Sequence, residues 1–97
     1  MAHTVSKKAT ILLVDDNKHL VITLTDYLAY EGFEIVSARS GEEALKKLGQ
    51  VTPDLIILDI SMPGIGGIGF LNKIQKDGAP PPFPVLVFTA RSAMEEF

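Results

Sequence analysis

The chain has 97 residues, a formal net charge of −3 and a hydrophobic content of 46%, and this length allows one domain with a real core. It contains no cysteine, which excludes a disulfide framework and a thiolate metal site. The acidic balance without a basic cluster argues against direct nucleic-acid binding. No apolar run is long enough to span a bilayer, so we expect no membrane partner and a cytoplasmic location.

The first half of the chain alternates short apolar runs with helical patterns. Residues 1–9 are polar at first and lack periodicity, which predicts a flexible N-terminal tail. Residues 11–14 form a short apolar strand that ends in Asp15 and Asp16. A helix follows, with Asn17 or Asp16 as its N-cap and Gly32 at its end. Its predicted apolar face consists of Leu20, Val21, Leu24, Tyr27 and Leu28.

The next elements are an edge or half-buried strand over 33–38 and a second helix. Ser40 and Glu43 have the spacing of a capping box at the start of that helix. Its apolar face is predicted to hold Ala44, Leu45 and Leu48. Residues 55–58 are four apolar residues that lead directly into Asp59, a pattern typical of a strand buried on both faces.

The last part of the chain contains one more helix and one more strand. Glycines 64, 66 and 67 predict a flexible loop, and Phe70, Leu71 and Ile74 mark a third helix that ends at residues 76–78. A rigid proline-rich connection follows over 79–82. Residues 85–88 are predicted to be a strand with the composition of a buried strand, ending in Thr89, and 92–95 resemble the start of another helix.

The resulting order β-α-β-α-β-α-β predicts an α/β protein with a parallel sheet covered on both faces. Because parallel strands end at the same edge of a sheet, Asp15, Asp16, Asp59 and Thr89 should gather there. The carboxylates repel one another unless a cation lies among them. Oxygen ligands of this kind suit Mg²⁺, which would also let one carboxylate attack phosphorus. Each signal alone is also compatible with an ordinary helix cap or strand end.

These motifs resemble those of a response-regulator receiver domain, the phospho-acceptor module of two-component systems. The residues that carry the resemblance are Ile11-Leu12-Leu13-Val14-Asp15-Asp16, Asp59-Ile60-Ser61-Met62-Pro63 with Gly67, and Val87-Phe88-Thr89-Ala90. The resemblance covers residues 10–97 and implies a flavodoxin-like, doubly wound parallel sheet with strand order 2-1-3-4.

The resemblance also implies a role for each site residue. Asp59 is expected to accept a phosphoryl group from a sensor histidine kinase or a phosphotransfer protein. Asp15, Asp16, Asp59 and the main-chain carbonyl of Ser61 are expected to hold Mg²⁺. Thr89 is expected to donate a hydrogen bond to the phosphoryl group and to act in switching. The module is a signalling domain and is not expected to be a classical enzyme.

The chain ends before the fifth strand and fifth helix that the family has, so we expect a truncated receiver domain. The family's phosphoryl-binding lysine and switch aromatic belong to that segment, which puts phosphorylation of Asp59 in question. Residues 85–88 then form an apolar edge strand, which invites pairing with another chain. We therefore expect a homodimer or domain-swapped oligomer through the fourth strand.

Two alternative functions follow from the same residues. The first is a receiver-like interaction or dimerisation module that is not phosphorylated. The second is an enzyme of similar architecture, such as an aspartyl-phosphate phosphatase or a flavin protein. The phosphatase interpretation requires a second aspartate where this chain has Ser61, and flavin binding requires a phosphate loop where it has Asp15 and Asp16. The sequence favours the signalling module.

Overall fold

The computed structural model describes residues 8–75 and 80–88, which contain four strands and three helices in alternation. The elements are β1 (Thr10–Val14), α1 (Lys18–Tyr30), β2 (Glu34–Ala38), α2 (Gly41–Leu48), β3 (Leu55–Asp59), α3 (Gly66–Ile74) and β4 (Val85–Phe88). The predicted element order is therefore confirmed. Within the described residues, no helix has the length and apolar character needed to cross a membrane.

The four strands form one parallel sheet in the order β2-β1-β3-β4, as expected. The central strand β1 pairs with β2 on one side and with β3 on the other, with Val14 opposite both Ala38 and Leu58. All five residues of β1 are buried, because it lies inside the sheet with helices over both faces.

Residues that flank α1 cap both of its ends. The Asn17 side chain accepts a hydrogen bond from the Leu20 N–H at 3.1 Å, which satisfies one of the first amides of the helix. At the other end Gly32 has a φ of 101°, and its N–H donates to the Ala29 carbonyl. The Phe33 N–H donates to the Leu28 carbonyl, which completes a Schellman motif.

The predicted capping box of α2 is present with one difference. The Glu43 N–H donates to the Ser40 hydroxyl at 3.0 Å, as the pattern predicts. The Glu43 carboxylate, however, accepts from the N–H of Arg39 at 2.9 Å and not from that of Ser40. The reciprocal bond thus reaches one residue further back along the chain.

The main hydrophobic core lies between the sheet and the α2–α3 face. Leu12, Ile56, Leu58 and Phe70 are all fully buried there, and Ala44 of α2 packs among them. Alternate strand residues such as Leu13 face the opposite side, which α1 covers. The helices therefore lie on both faces of the sheet, as a doubly wound fold requires.

The start and end of α3 differ from the prediction. Gly66 and Gly67 are the first residues of the helix and not part of a loop. Both glycines are buried. Gly67 packs against the backbone of Asp59 and Ile60, which leaves no room for a side chain. Gly66 has a φ of 70°, a conformation that glycine adopts without strain. The helix also ends earlier than expected, since Gln75 already has an extended backbone.

Side-chain burial departs from the sequence pattern at two places, and only the first contradicts a prediction. Tyr27 is 59% exposed, because it lies at the margin of the α1 stripe that faces the sheet. In β4, Leu86 is 56% and Val87 is 43% exposed. These neighbours face opposite sides of the sheet, so no described element fully covers either face of β4. The strand has the apolar composition of a buried strand, and its exposure agrees with its predicted position at the edge of the described sheet.

Some sequence predictions fall outside the described residues. They concern Thr89, most of the predicted tail and the helical pattern at 92–95.

Candidate functional site

The carboxyl ends of β1 and β3 bring three aspartates together. Val14 and Leu58 are paired neighbours, so the residues that follow them, Asp15 and Asp59, lie side by side. Carboxylate oxygens of Asp15, Asp16 and Asp59 all lie within 4.8 Å of one another. We call these three residues the acidic cluster. Asp15 is fully buried and Asp59 is 2% exposed, whereas Asp16 is exposed.

Asp15 is held in a conformation that leaves one oxygen without a donor. Its Oδ1 accepts a hydrogen bond from the Asn17 N–H at 2.8 Å. Its Oδ2 is buried and has no hydrogen-bond partner among the described residues. Burial raises the pKa of the Asp15 carboxyl above its usual value, and the negative charge of Asp59 acts in the same direction. The Asn17 N–H opposes that rise in the pKa.

Asp59 is oriented by Ser61. The Ser61 N–H and its hydroxyl both donate to Asp59 Oδ1, at 3.0 and 2.9 Å. Two donors on one oxygen restrict rotation of the carboxylate. Sequence reasoning assigned only the main-chain carbonyl of Ser61 and missed its hydroxyl. The signal was available, because an aspartate followed two residues later by a serine can form a turn closed by the carboxylate. The ligand role of the Ser61 carbonyl stays a prediction.

Residues 60–65 connect β3 to α3, and we call this segment the site loop. Met62 anchors it, since its side chain is 7% exposed and lies in the main core. Gly64 follows with a φ of 75°, a conformation that glycine adopts without strain. Just after the loop, in the first turn of α3, Gly67 lies against the backbone, where an added Cβ would be 2.6 Å from the Asp59 carbonyl oxygen.

The acidic cluster fits a hard divalent cation. Its donor atoms are carboxylate oxygens, which Mg²⁺ prefers. A buried carboxylate oxygen without a donor is costly in free energy, and a cation would provide the missing partner. The structure thus brings together three of the four side chains that the sequence predicted at this edge. The fourth, Thr89, directly follows Phe88, which pairs with Asp59, but lies outside the described residues.

We expect the Asp15→Asn variant to be more stable than the wild type without metal, by about 1–3 kcal/mol in the free energy of unfolding. Asparagine can still accept from the Asn17 N–H, but it removes a buried charge beside Asp59. Urea unfolding in EDTA measures this difference.

The same variant should lose stabilisation by Mg²⁺. For the wild type, we expect Mg²⁺ binding to raise the free energy of unfolding by about 2.7 kcal/mol when the Mg²⁺ concentration is about 100 times Kd. As a control, Asp26→Asn changes an exposed aspartate of α1 and should respond to Mg²⁺ as the wild type does. Equal responses of Asp15→Asn and Asp26→Asn would contradict the assignment of the cluster as a metal site.

Comparison with known proteins identifies the family to which these features correspond. The family model described as "Response regulator receiver domain" matches residues 11–97. The transcriptional regulatory protein PhoP of Bacillus subtilis, for alkaline phosphatase synthesis, is 39% identical over 87 residues, which are 90% of this chain and 35% of that protein. The transcriptional regulatory protein TrcR of Mycobacterium tuberculosis is 34% identical over 84 residues, 87% of this chain and 32% of that protein. The chain spans about a third of the length of these relatives.

Solved structures show the same fold. The response regulator protein TrrA from Thermotoga maritima, in complex with Mg²⁺ and BeF, has a TM-score of 0.76 and 40% identity, covering 91% of this chain and 75% of the matched chain. A chain from the crystal structure of histidine kinase ThkA in complex with TrrA has a TM-score of 0.74 and 42% identity, covering 87% of this chain and 71% of the matched chain.

Proposed function

Since the chain belongs to the response regulator receiver domain family, we propose that it accepts a phosphoryl group on Asp59 from a phosphohistidine of a partner protein. The proposed module comprises residues 10–97, and residues 1–9 precede it as a tail. The single observation that carries this proposal is the acidic cluster, in which the oriented Asp59 lies within 4.8 Å of Asp15 and Asp16.

The chemistry is a transfer of one phosphoryl group between two nucleophiles. A carboxylate oxygen of Asp59 forms a bond to phosphorus, and the bond from phosphorus to the donor's imidazole nitrogen breaks. The electron pair of that bond stays with the imidazole, and the product is an acyl phosphate on Asp59. Ser61 supports this reaction by holding the carboxylate through two hydrogen bonds to Oδ1.

Asp15, Asp16, Asp59 and the Ser61 carbonyl are the proposed ligands of Mg²⁺. When bound, the ion offsets negative charge on the carboxylates and on the phosphoryl oxygens. Thr89 is the proposed donor of a hydrogen bond to the phosphoryl group and the proposed switch residue. The proposed partner is a sensor histidine kinase or a phosphotransfer protein, supported by the similarity to the chain from the ThkA–TrrA complex.

The test is incubation of the 97-residue chain with acetyl phosphate and Mg²⁺, followed by intact-mass analysis. The expected result is the gain of one phosphoryl group that depends on Mg²⁺. If neither acetyl phosphate nor a phosphorylated histidine donor adds mass, the chain is instead a receiver-like interaction module that is not phosphorylated.

We also propose that the chain self-associates through β4, as a homodimer or a domain-swapped oligomer. The support is an apolar groove of about 640 Å³ on the α1 face of β4, together with the exposure of Leu86 and Val87. The groove is lined by Asn17, Leu20, Leu24, Ile57, Leu86 and Phe88. An exposed apolar edge strand can pair with a second chain.

Because the edge strand is exposed, we expect the wild type to be a dimer or a larger species at micromolar concentration. The Leu86→Lys variant should be a monomer. A lysine at this exposed position places a charge on the edge strand that opposes pairing. Size-exclusion chromatography with light scattering gives the mass of each. Ile22→Lys is the control, since Ile22 is 50% exposed on α1 but does not line the groove. A well-folded wild-type monomer would rule out self-association.

A further inference from the structure

The helix α3 lacks an N-cap side chain of its own. Its N-cap residue is Ile65, which makes no side-chain capping bond. An isoleucine carries no acceptor that could satisfy the first amides of a helix. The start of α3 directly follows the site loop. A contact that fixes the start of α3 therefore also fixes the end of the loop that begins after Asp59.

A carboxylate from another helix lies at this position. The Ile65 N–H donates to Glu42 Oε2 at 3.4 Å, a contact between residues 23 positions apart. The same carboxylate lies against Gly64, where an added Cβ would be 2.9 Å from Glu42 Oε2. The negative charge of Glu42 also faces the positive end of the α3 dipole, which is a favourable arrangement.

Close backbone packing connects this contact to the acidic cluster. At the start of α2, a Cβ on Gly41 would lie 2.9 Å from the Gly66 carbonyl oxygen. In the first turn of α3, a Cβ on Gly67 would lie 2.6 Å from the Asp59 carbonyl oxygen. The start of α2, the start of α3 and the end of β3 are therefore in direct contact. A shift of α3 away from α2 would therefore change the positions of Asp59 and of the site loop, which contains Ser61.

We propose that Glu42 is a positioning residue for the site, because it caps α3 from the neighbouring helix and so holds the site loop in place. It does not touch the reacting atoms. Its effect is exerted through the Ile65 amide and the start of α3, and reaches the ligands Asp59 and Ser61 from there. This inference rests on the proposed function for its consequence on metal binding, but the contact itself is independent of that function.

The first measurement is the Mg²⁺ affinity of the full chain by isothermal titration. Removing an interaction that orients metal ligands typically weakens affinity by about 10–100-fold. Because the Glu42–Ile65 contact is long and exposed, we expect a loss of about tenfold for Glu42→Ala, at the low end of that range. Glu42→Gln keeps an acceptor for the Ile65 N–H and should recover most of the lost affinity.

The matched control is Glu43→Ala. Glu43 lies in the same first turn of α2, but its carboxylate accepts from the Arg39 N–H and not from the site loop. This variant should lower the stability of the chain, since it removes half of the capping box, and leave Mg²⁺ affinity close to that of the wild type. Equal losses of affinity in Glu42→Ala and Glu43→Ala would overturn the proposal, since a general weakening of α2 would then explain both.

The second measurement is hydrogen exchange of the Ile65 amide by NMR without metal. Exchange should be faster in Glu42→Ala than in the wild type, and unchanged in Glu43→Ala. Equal exchange rates of the Ile65 amide in the wild type and in Glu42→Ala would show that Glu42 is not a positioning residue. Faster exchange in Glu42→Ala with an unchanged Mg²⁺ affinity would show the same. If the wild type binds no Mg²⁺, the proposed metal site fails and with it the positioning role. In that case the exchange data still decide whether Glu42 caps α3.

Discussion

Replacement of Asp59 by asparagine is expected to abolish phosphorylation of the chain and to leave its fold intact. Asparagine has the shape of aspartate, and its oxygen can still accept both hydrogen bonds from Ser61. It lacks the charged carboxylate that forms the acyl phosphate. The removal of one of two adjacent buried carboxylates also relieves repulsion, so the variant should be at least as stable as the wild type without metal.

Intact-mass analysis after treatment with acetyl phosphate and Mg²⁺ measures this effect. The control is Asp26→Asn, which makes the same chemical change at an exposed position of α1 and should be phosphorylated as the wild type is. Retention of the added mass in Asp59→Asn would place the phosphoryl group on another residue. That result would contradict the assignment of Asp59 as the acceptor.

Gly67→Ala is expected to destabilise the chain by about 3 kcal/mol, a large part of the net stability of a small domain. In most helix positions alanine is more favourable than glycine, by about 1 kcal/mol. Here the added Cβ would lie 2.5 Å from the Ile60 Cα and 2.6 Å from the Asp59 carbonyl oxygen. Both are backbone atoms that cannot move aside by changing a rotamer, so the steric cost exceeds the gain in helix propensity.

Urea unfolding followed by circular dichroism measures the change in free energy. The control is Gly49→Ala at the end of α2, where the backbone is in the right-handed region and the nearest atom to an added Cβ is 3.3 Å away. That variant should stay within about 1 kcal/mol of the wild type. If Gly67→Ala is as stable as Gly49→Ala, the close approach of α3 to Asp59 is not essential to the fold.

Local patterns in the sequence were sufficient to predict the element order and the acidic cluster. Helix caps such as Asn17 and Ser40 act on amides three residues away, so their spacing is visible in the chain. Asp15 and Asp59 each follow a short apolar run, and parallel strands place both at one edge of the sheet. Their convergence therefore required no knowledge of helix packing.

Burial was harder to predict because it depends on what covers each residue. The apolar composition of β4 is that of a buried strand, but β4 lies at the edge of the described sheet, as predicted, and Leu86 is 56% exposed there. Tyr27 has helical spacing with buried residues and still lies 59% exposed. Periodicity reports the direction of a side chain relative to its own element and says nothing about neighbouring elements.

The supports of the site depended on three-dimensional packing. Glu42 and Ile65 are 23 residues apart, and no spacing rule connects them. They meet because α2 and α3 pack side by side at glycines 41 and 66. The identity of the three aspartates could be read from the order of residues, since that order sets where each strand ends. The contacts that hold Asp59 in place could not be predicted in this way. They join elements that are distant in the chain and adjacent only in the folded protein.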